Sequence, residues 1–218
     1  MNALSSYELL VGYFENSDLF PNGTEESKKI LLTLYKMLAR GRPVSIDDLS
    51  LVSEVEKSTV EKVIEKLPGS HIEYDTNRAI TAYRGLTLTP TGHQLIADGV
   101  QLYTWCAFDC LFLSGLLNSQ IEVTSKCPQT GEKISISMSQ GTVLTASHMD
   151  IFVSFVMPEI DVYKSDLQDN FCCHIHFFSS QKAGNDWAES KQNIVCVPLD
   201  EACTIAHVRN NSGFGSLR

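Results

Sequence analysis

Residues 102–117 constrain this chain more than any other stretch. They form a nearly unbroken apolar run carrying one charged residue, Asp109. A run of that kind needs apolar neighbours on every side, so it belongs at the centre of a packed unit. It is shorter than the roughly 20 apolar residues that a membrane span needs. Its length and lack of breakers predict a largely buried helix over 102–117. The chain has 218 residues, enough to bury such an element without disulfide staples, in one large domain or two small ones. With 43% apolar and 20% charged residues it has the composition of an ordered soluble protein, which excludes disorder and low complexity.

The stretch before this run reads as a small helical module. Ile30, Leu31, Leu34, Met37 and Leu38 form an amphipathic stripe over 25–40, stopped by Gly41 with Pro43 close behind. Ser45 is placed to cap a short helix to about Val52, with Asp47 and Asp48 in its first turn. A third helix over 58–67 buries Val60, Val63, Ile64 and Leu67 and ends at Pro68-Gly69. Residues 71–74 and 79–88 read as two strands around the turn at Asp75-Thr76-Asn77. Three helices and a hairpin are the winged-helix pattern. The chain thus divides into an N-terminal arm (1–20), a winged-helix-like module (21–92) and an α+β catalytic domain (93–218), with the turn at 89–92 as the boundary. In the last part strands are expected at 121–126, 133–138, 151–156, 171–178 and 194–197, and helices at 186–192 and 200–208. The turn at 127–131 joins the first two strands, and Met157-Pro158 ends the third. Without a βαβ rhythm or a glycine-rich phosphate loop, the pairing should be mostly antiparallel, giving an α+β class.

Charge narrows the partners. Seventeen basic against 26 acidic residues leave a net charge of −9, unfavourable for holding a phosphate backbone. The helix in the recognition position carries Glu56, Lys57, Glu61, Lys62, Glu65 and Lys66, which cancel. A winged module that packs or covers, rather than reads DNA, is expected. The start of the chain has no basic region followed by an apolar one, so a cytoplasmic protein with neither membrane nor nucleic-acid partner is expected. In a reducing compartment seven unevenly spaced cysteines are not a disulfide framework. The Asn22-Gly23-Thr24 sequon then has no role.

Two constellations carry chemistry. On a continuous helix Cys106, Asp109 and Cys110 would share one face by their spacing. An acid in so apolar a helix is either tied to a neighbouring hydroxyl or amide, or held protonated as a proton donor. The second is the segment 171–178. As a strand it would place Cys172, His174 and His176 on one face, with Cys173, Ile175 and Phe177 on the other, leaving Cys173 in the core. Cys127-Pro128 with Thr130-Gly131 is half a zinc knuckle without its second CxxC, so Cys127, Cys196 and Cys203 read as structural.

The run Tyr103-Thr104-Trp105-Cys106-Ala107-Phe108-Asp109, followed by 170–178 with its Phe171-Cys172-Cys173-His174-Ile175-His176-Phe177-Phe178, resembles the organomercurial lyase (alkylmercury lyase) family. The segments 41–45, 73–75 and 85–88, and the Cys127 turn, resemble further landmarks of that family in the same order. The likeness spans nearly the whole chain, apart from the first 20 or so residues and the extreme C-terminus. It implies cleavage of carbon–mercury bonds by protonolysis, giving a hydrocarbon and Hg(II) as part of mercury detoxification. It also implies that Cys106 and Cys172 bind mercury as thiolates and that Asp109 protonates carbon, also lying within reach of the metal. It implies no resident cofactor, a need for external thiols in turnover, and mercuric ion reductase or cellular thiols as the Hg(II) acceptor. A monomer or weak homodimer is expected. Cys110 departs from the family pattern and adds a third sulfur near the site. Two other readings stand beside this one. One is a zinc- or copper-binding protein using Cys106, Cys110, Cys172 and His174; the other is a metal-responsive winged-helix regulator.

Overall fold

The computed structural model describes residues 4–16, 24–157 and 167–215. Asn22 and Gly23 of the sequon, and Pro158, lie outside them. Helix α1 (Ser6–Asn16) buries Leu10 and Phe14. Helix α2 (Glu25–Leu38) starts where the Thr24 hydroxyl accepts the Ser27 N–H, and its apolar stripe is fully buried at Ile30, Leu31, Leu34 and Leu38. Ser45 caps α3 (Ile46–Ser53) by accepting the Asp48 N–H, as its sequence position requires. Helix α4 (Lys57–Glu65) and a 3-10 turn at Gly69–His71 lead into β1 (Ile72–Tyr74) and β2 (Ile80–Tyr83).

The expected strand over 79–88 is interrupted. Arg84 and Gly85 both have positive φ, 37° and 103°, and form a two-residue hairpin between β2 and β3 (Leu86–Thr87). Such primed turns match the twist of the strands they join. The long apolar run also divides. Asp98-Gly99, again with positive φ at both residues, turns β4 (His93–Ala97) back into β5 (Val100–Thr104), and only then does α5 (Ala107–Leu117) begin. Residues 102–104 are therefore strand, not helix. Buried Leu102 and Thr104 alternate with exposed Gln101 and part-exposed Tyr103, a period of two that apolarity conceals.

Strands β6 (Gln120–Lys126), β7 (Lys133–Ser139) and β8 (Thr142–Ala146) complete an eight-stranded sheet in the order β1-β2-β3-β5-β4-β6-β7-β8. A second sheet holds β9 (Phe152–Val156) between β10 (Phe177–Phe178) and β11 (Ile194–Pro198). Every strand pair among the described residues is antiparallel, which makes the class α+β as expected. Helices α6 (Leu167–Asn170), α7 (Gln181–Ala188) and α8 (Leu199–Phe214) fill out the second half. Helix α7 begins earlier than its apolar residues suggest, because Ser180 caps it by accepting the Ala183 N–H. No helix among the described residues is long and apolar enough to cross a membrane.

Behind the sheet, Tyr35 of α2 joins three distant elements. Its hydroxyl donates to the Arg84 carbonyl at 3.0 Å and accepts from Arg209 of α8 at 3.4 Å. The Arg209 guanidinium lies 3.5 Å over the Phe112 ring of α5, and Asn210 donates to the Phe112 carbonyl at 2.7 Å. Buried polar groups of this kind are expensive when one partner is removed. Tyr35→Phe should therefore lower unfolding stability by about 1–3 kcal/mol in urea titration. An unchanged midpoint would show that the hydroxyl ties nothing together.

Candidate active site

The first residue of the site sits where a strand becomes a helix. After Thr104 the Trp105 N–H donates to the Gly85 carbonyl at 2.9 Å, and Cys106 becomes the N-cap of α5 with extended dihedrals. Asp109 then occupies the third helical position. The Cys106 sulfur accepts the Asp109 N–H, and the Asp109 carboxylate accepts the Cys106 N–H at 2.9 Å. This is a capping box with cysteine in the place of serine. The two side chains are thus neighbours because of the cap, not because they share a helix face as the continuous helix would have had it. Gly85 supplies the wall: a Cβ there would lie 2.3 Å from Asp109 Cγ, and its φ of +103° already excludes most side chains.

The second thiol arrives from the other sheet. Residues 171–178 are not one strand. Cys172–His174 form a 3-10 turn, with the His174 N–H donating to Phe171 O and the Ile175 N–H to Cys172 O, and only Phe177 and Phe178 pair with β9. The turn overturns the alternation and its placement of Cys173. Cys172 is buried, while Cys173 is exposed, its thiol donating to Asp169 O at 2.8 Å. Two joins hold the turn. The Ala107 N–H donates to Ile175 O at 3.2 Å, and the Ser154 hydroxyl of β9 donates to His174 O at 2.7 Å.

The outcome is a group in which one ligand atom each from Cys106, Asp109 and Cys172 all lie within 4.8 Å of one another, every residue buried. Burial governs their electrostatics. It raises the Asp109 carboxyl to about 7, against the opposing effects of the Cys106 hydrogen bonds and the Arg209 charge. Burial also pushes the Cys106 thiol well up, and its contact with Cys172 and the Asp109 charge add to the rise. Burial of the site at rest therefore favours the protonated forms of Cys106 and Asp109, beside a second sulfur donor, Cys172.

Cys110 stands apart from this group. Its Sγ lies 3.1 Å from the Thr104 hydroxyl, which itself donates to the Cys106 carbonyl at 2.9 Å. Burial raises its thiol to about 12. His174 is also outside the group. Cys127 sits in the expected turn, where the Gly131 N–H donates to its carbonyl at 2.9 Å. Burial pushes that thiol up, but hydrogen bonds from Thr130, Ser179 and Gln129 outweigh it and leave it lowered. Sequence reasoning did not find Ser154 or the role of Gly85 against Asp109. A lone serine in the apolar strand 151–156 is the signal for the first, and a glycine opposite the acid could be read only after β3 and β5 were paired.

Fold and site together define a class: an antiparallel α+β protein with a buried centre of two thiols and a carboxyl, suited to a soft metal. The alkylmercury lyase (MerB) family model matches residues 86–208. The chain is 36% identical to an alkylmercury lyase of Pseudomonas putida over 187 residues, covering 86% of this chain and 85% of that one. It is 35% identical to an alkylmercury lyase of Bacillus cereus over 180 residues, 83% and 80% of the two chains. A crystal structure of the mercury-bound form of MerB2 superposes with a TM-score of 0.74 at 25% identity, over 95% of this chain and 96% of the other. The protein belongs to the alkylmercury lyase family and is an enzyme.

The raised Asp109 pKa has a sign. The folded protein keeps this proton between about pH 4 and about pH 7, whereas the unfolded chain has released it. The contribution is fully present below about pH 4 and is lost as pH rises through about 7. Relative to Asp109→Asn, the wild-type protein should lose about 4 kcal/mol of unfolding stability across that window. Parallel stability profiles of the two proteins would contradict a carboxyl held protonated.

Proposed function

We propose that the chain cleaves the carbon–mercury bond of organomercurials by protonolysis. The observation that supports this is the convergence of Cys106, Cys172 and the protonated Asp109 within one buried group. Thiolates are the softest ligands a protein offers, and mercury displaces even a tightly held thiol proton when it binds. An organomercurial R–Hg–X exchanges X for the Cys106 sulfur, releasing HX, and the Cys172 sulfur adds as the second ligand as its proton passes to solvent. Two sulfur donors put charge on the metal and make the bound carbon more basic. Asp109, raised to about 7 and so still protonated in a large share of molecules near neutral pH, lies beside both sulfurs and gives its proton to that carbon. The carbon–mercury bond breaks, R–H leaves, and Hg(II) remains on the two sulfurs with Asp109 now a carboxylate. External thiols then remove the metal, their protons passing to the two cysteine sulfurs, and Asp109 regains its proton from solvent.

The surroundings suit that chemistry. Phe108 and Phe171, neighbours in sequence of Asp109 and Cys172, are buried with ring centres 6.4 Å apart, apolar surface next to the site in the chain. That surface accepts an alkyl or aryl group and keeps Asp109 protonated. Mercury is substrate and product here, so no resident metal or organic cofactor is required. Cellular thiols or a mercuric ion reductase serve as the Hg(II) acceptor, and the reaction belongs in a thiol-rich cytoplasm.

Incubation with phenylmercury and excess thiol should release benzene, read by gas chromatography; no benzene would refute the reading. Cys106→Ala and Cys172→Ser should each lower turnover by at least about a thousandfold, since either loss leaves one sulfur. Asp109→Asn should still bind phenylmercury but release no benzene, because the ligands remain and the transferable proton does not. Cys173→Ser should retain most activity, because the exposed thiol donates to Asp169 O and lies outside the buried group. Cys110→Ser should leave cleavage within about threefold of wild type, since its sulfur meets Thr104 rather than the site. A large fall in single-turnover cleavage for Cys110→Ser would place that thiol among the reacting groups.

A further inference from the structure

We propose that Ser154 is the positioning residue of the thiol pair: its hydroxyl sets where the Cys172 turn leaves the sheet and thereby aims Cys172 at Cys106. This inference rests on the reading of Cys106 and Cys172 as joint mercury ligands.

Ser154 is fully buried in β9, among Phe152, Val153, Phe155 and Val156. A hydroxyl in so apolar a strand is held there by what it bonds. It donates to His174 O at 2.7 Å and accepts the His176 N–H at 2.9 Å, so it acts in both directions at once. The Ser154 backbone N–H also donates to His176 O at 3.1 Å. Regular pairing of β10 with β9 covers only Phe177↔Val153 and Phe178↔Phe152. At the next step the His176 N–H goes to the serine side chain, and the chain turns out of the ladder.

The turn so formed reaches the other half of the site. The carbonyl of Ile175, between the two residues that Ser154 holds, accepts the N–H of Ala107, the residue after Cys106. The Ser154 hydroxyl and backbone N–H, through residues 174–176, and the Ala107 N–H therefore connect β9 to the cap that carries Cys106 and Asp109. Ser154 bonds to neither sulfur, and it acts through residues 174–176 alone. Removing the oxygen frees both the His174 carbonyl and the His176 N–H at once, leaving the turn tied to β9 at this point only by the Ser154 N–H on His176 O.

The test compares Ser154→Ala, Ser154→Thr and Ser154→Val with wild type. Threonine and valine have nearly the same shape and differ in the hydroxyl, so that pair decides the matter even if the alanine variant fails to fold. The readouts are kcat and KM for phenylmercury, and retention of Hg(II) against a competing dithiol, followed by mercury–thiolate absorbance. Expected are Ser154→Thr within about threefold of wild type, and Ser154→Val and Ser154→Ala at least about tenfold lower in kcat and in mercury retention. Ile136→Val, in the core of β7, serves as a control for lost stability and should leave both readouts unchanged. Equal kcat and equal retention in the threonine and valine variants would overturn the proposal. The retention assay needs no carbon–mercury cleavage. Failure of the wild-type protein to release benzene therefore counts against the functional reading, while the threonine–valine comparison still judges Ser154.

Discussion

The cap of α5 is the constraint on which the rest of the site depends. A helix N-terminus leaves N–H groups that need acceptors, and here a sulfur and a carboxylate satisfy them. In the proposed mechanism the same two groups bind mercury and protonate carbon, so local helix physics and site geometry would have one solution. The cap is also buried, which ordinarily makes an acid expensive. Proton retention resolves the conflict: the neutral form is tolerated, and it is the form that can donate. Neither a surface cap nor an uncapped buried acid would combine these properties.

The second thiol depends on a different device. Cys172 comes from a segment with no helix or strand of its own at that point, and a short 3-10 turn would be a poor anchor unaided. Its precision derives from neighbours: the Ser154 hydroxyl on one side and the Ala107 N–H on the other. The two sheets are thereby linked through the site itself. Arg209 and Tyr35 extend that linkage to α8 and α2, placing a buried positive charge close enough to moderate the Asp109 pKa.

Much of this was legible in the sequence, and the failures have physical reasons. The helices of the first third were readable because capping residues and apolar stripes are local signals, as at Ser45 and over 30–38. The α+β class followed from strand alternation and the lack of a βαβ rhythm. Cys106, Asp109 and Cys172 could be named from their motifs, but their geometry could not be derived from spacing. The run 102–117 hid a strand because both of its states are apolar, and the Asp98-Gly99 hairpin that opens that strand lies just outside. Residues 171–178 alternate as a strand would, yet the partner edge is taken by the Ser154 hydroxyl. That exchange depends on a residue distant in sequence, and no local pattern reports it.

The order of the large sheet carries one more implication. Its strands follow the chain almost sequentially, β4 and β5 exchanging places, so most of its pairing is between near neighbours and can form early. The thiol pair is the opposite kind of contact, joining the middle of the chain to a segment that must first have the second sheet to lean on. The hairpins should thus be in place while the two sulfurs are still apart. During that interval the thiols of the nascent protein are accessible, and a soft metal captured then would join sulfurs that the finished fold keeps apart. Resistance to its own substrate while folding is a demand on this protein that its finished site does not reveal.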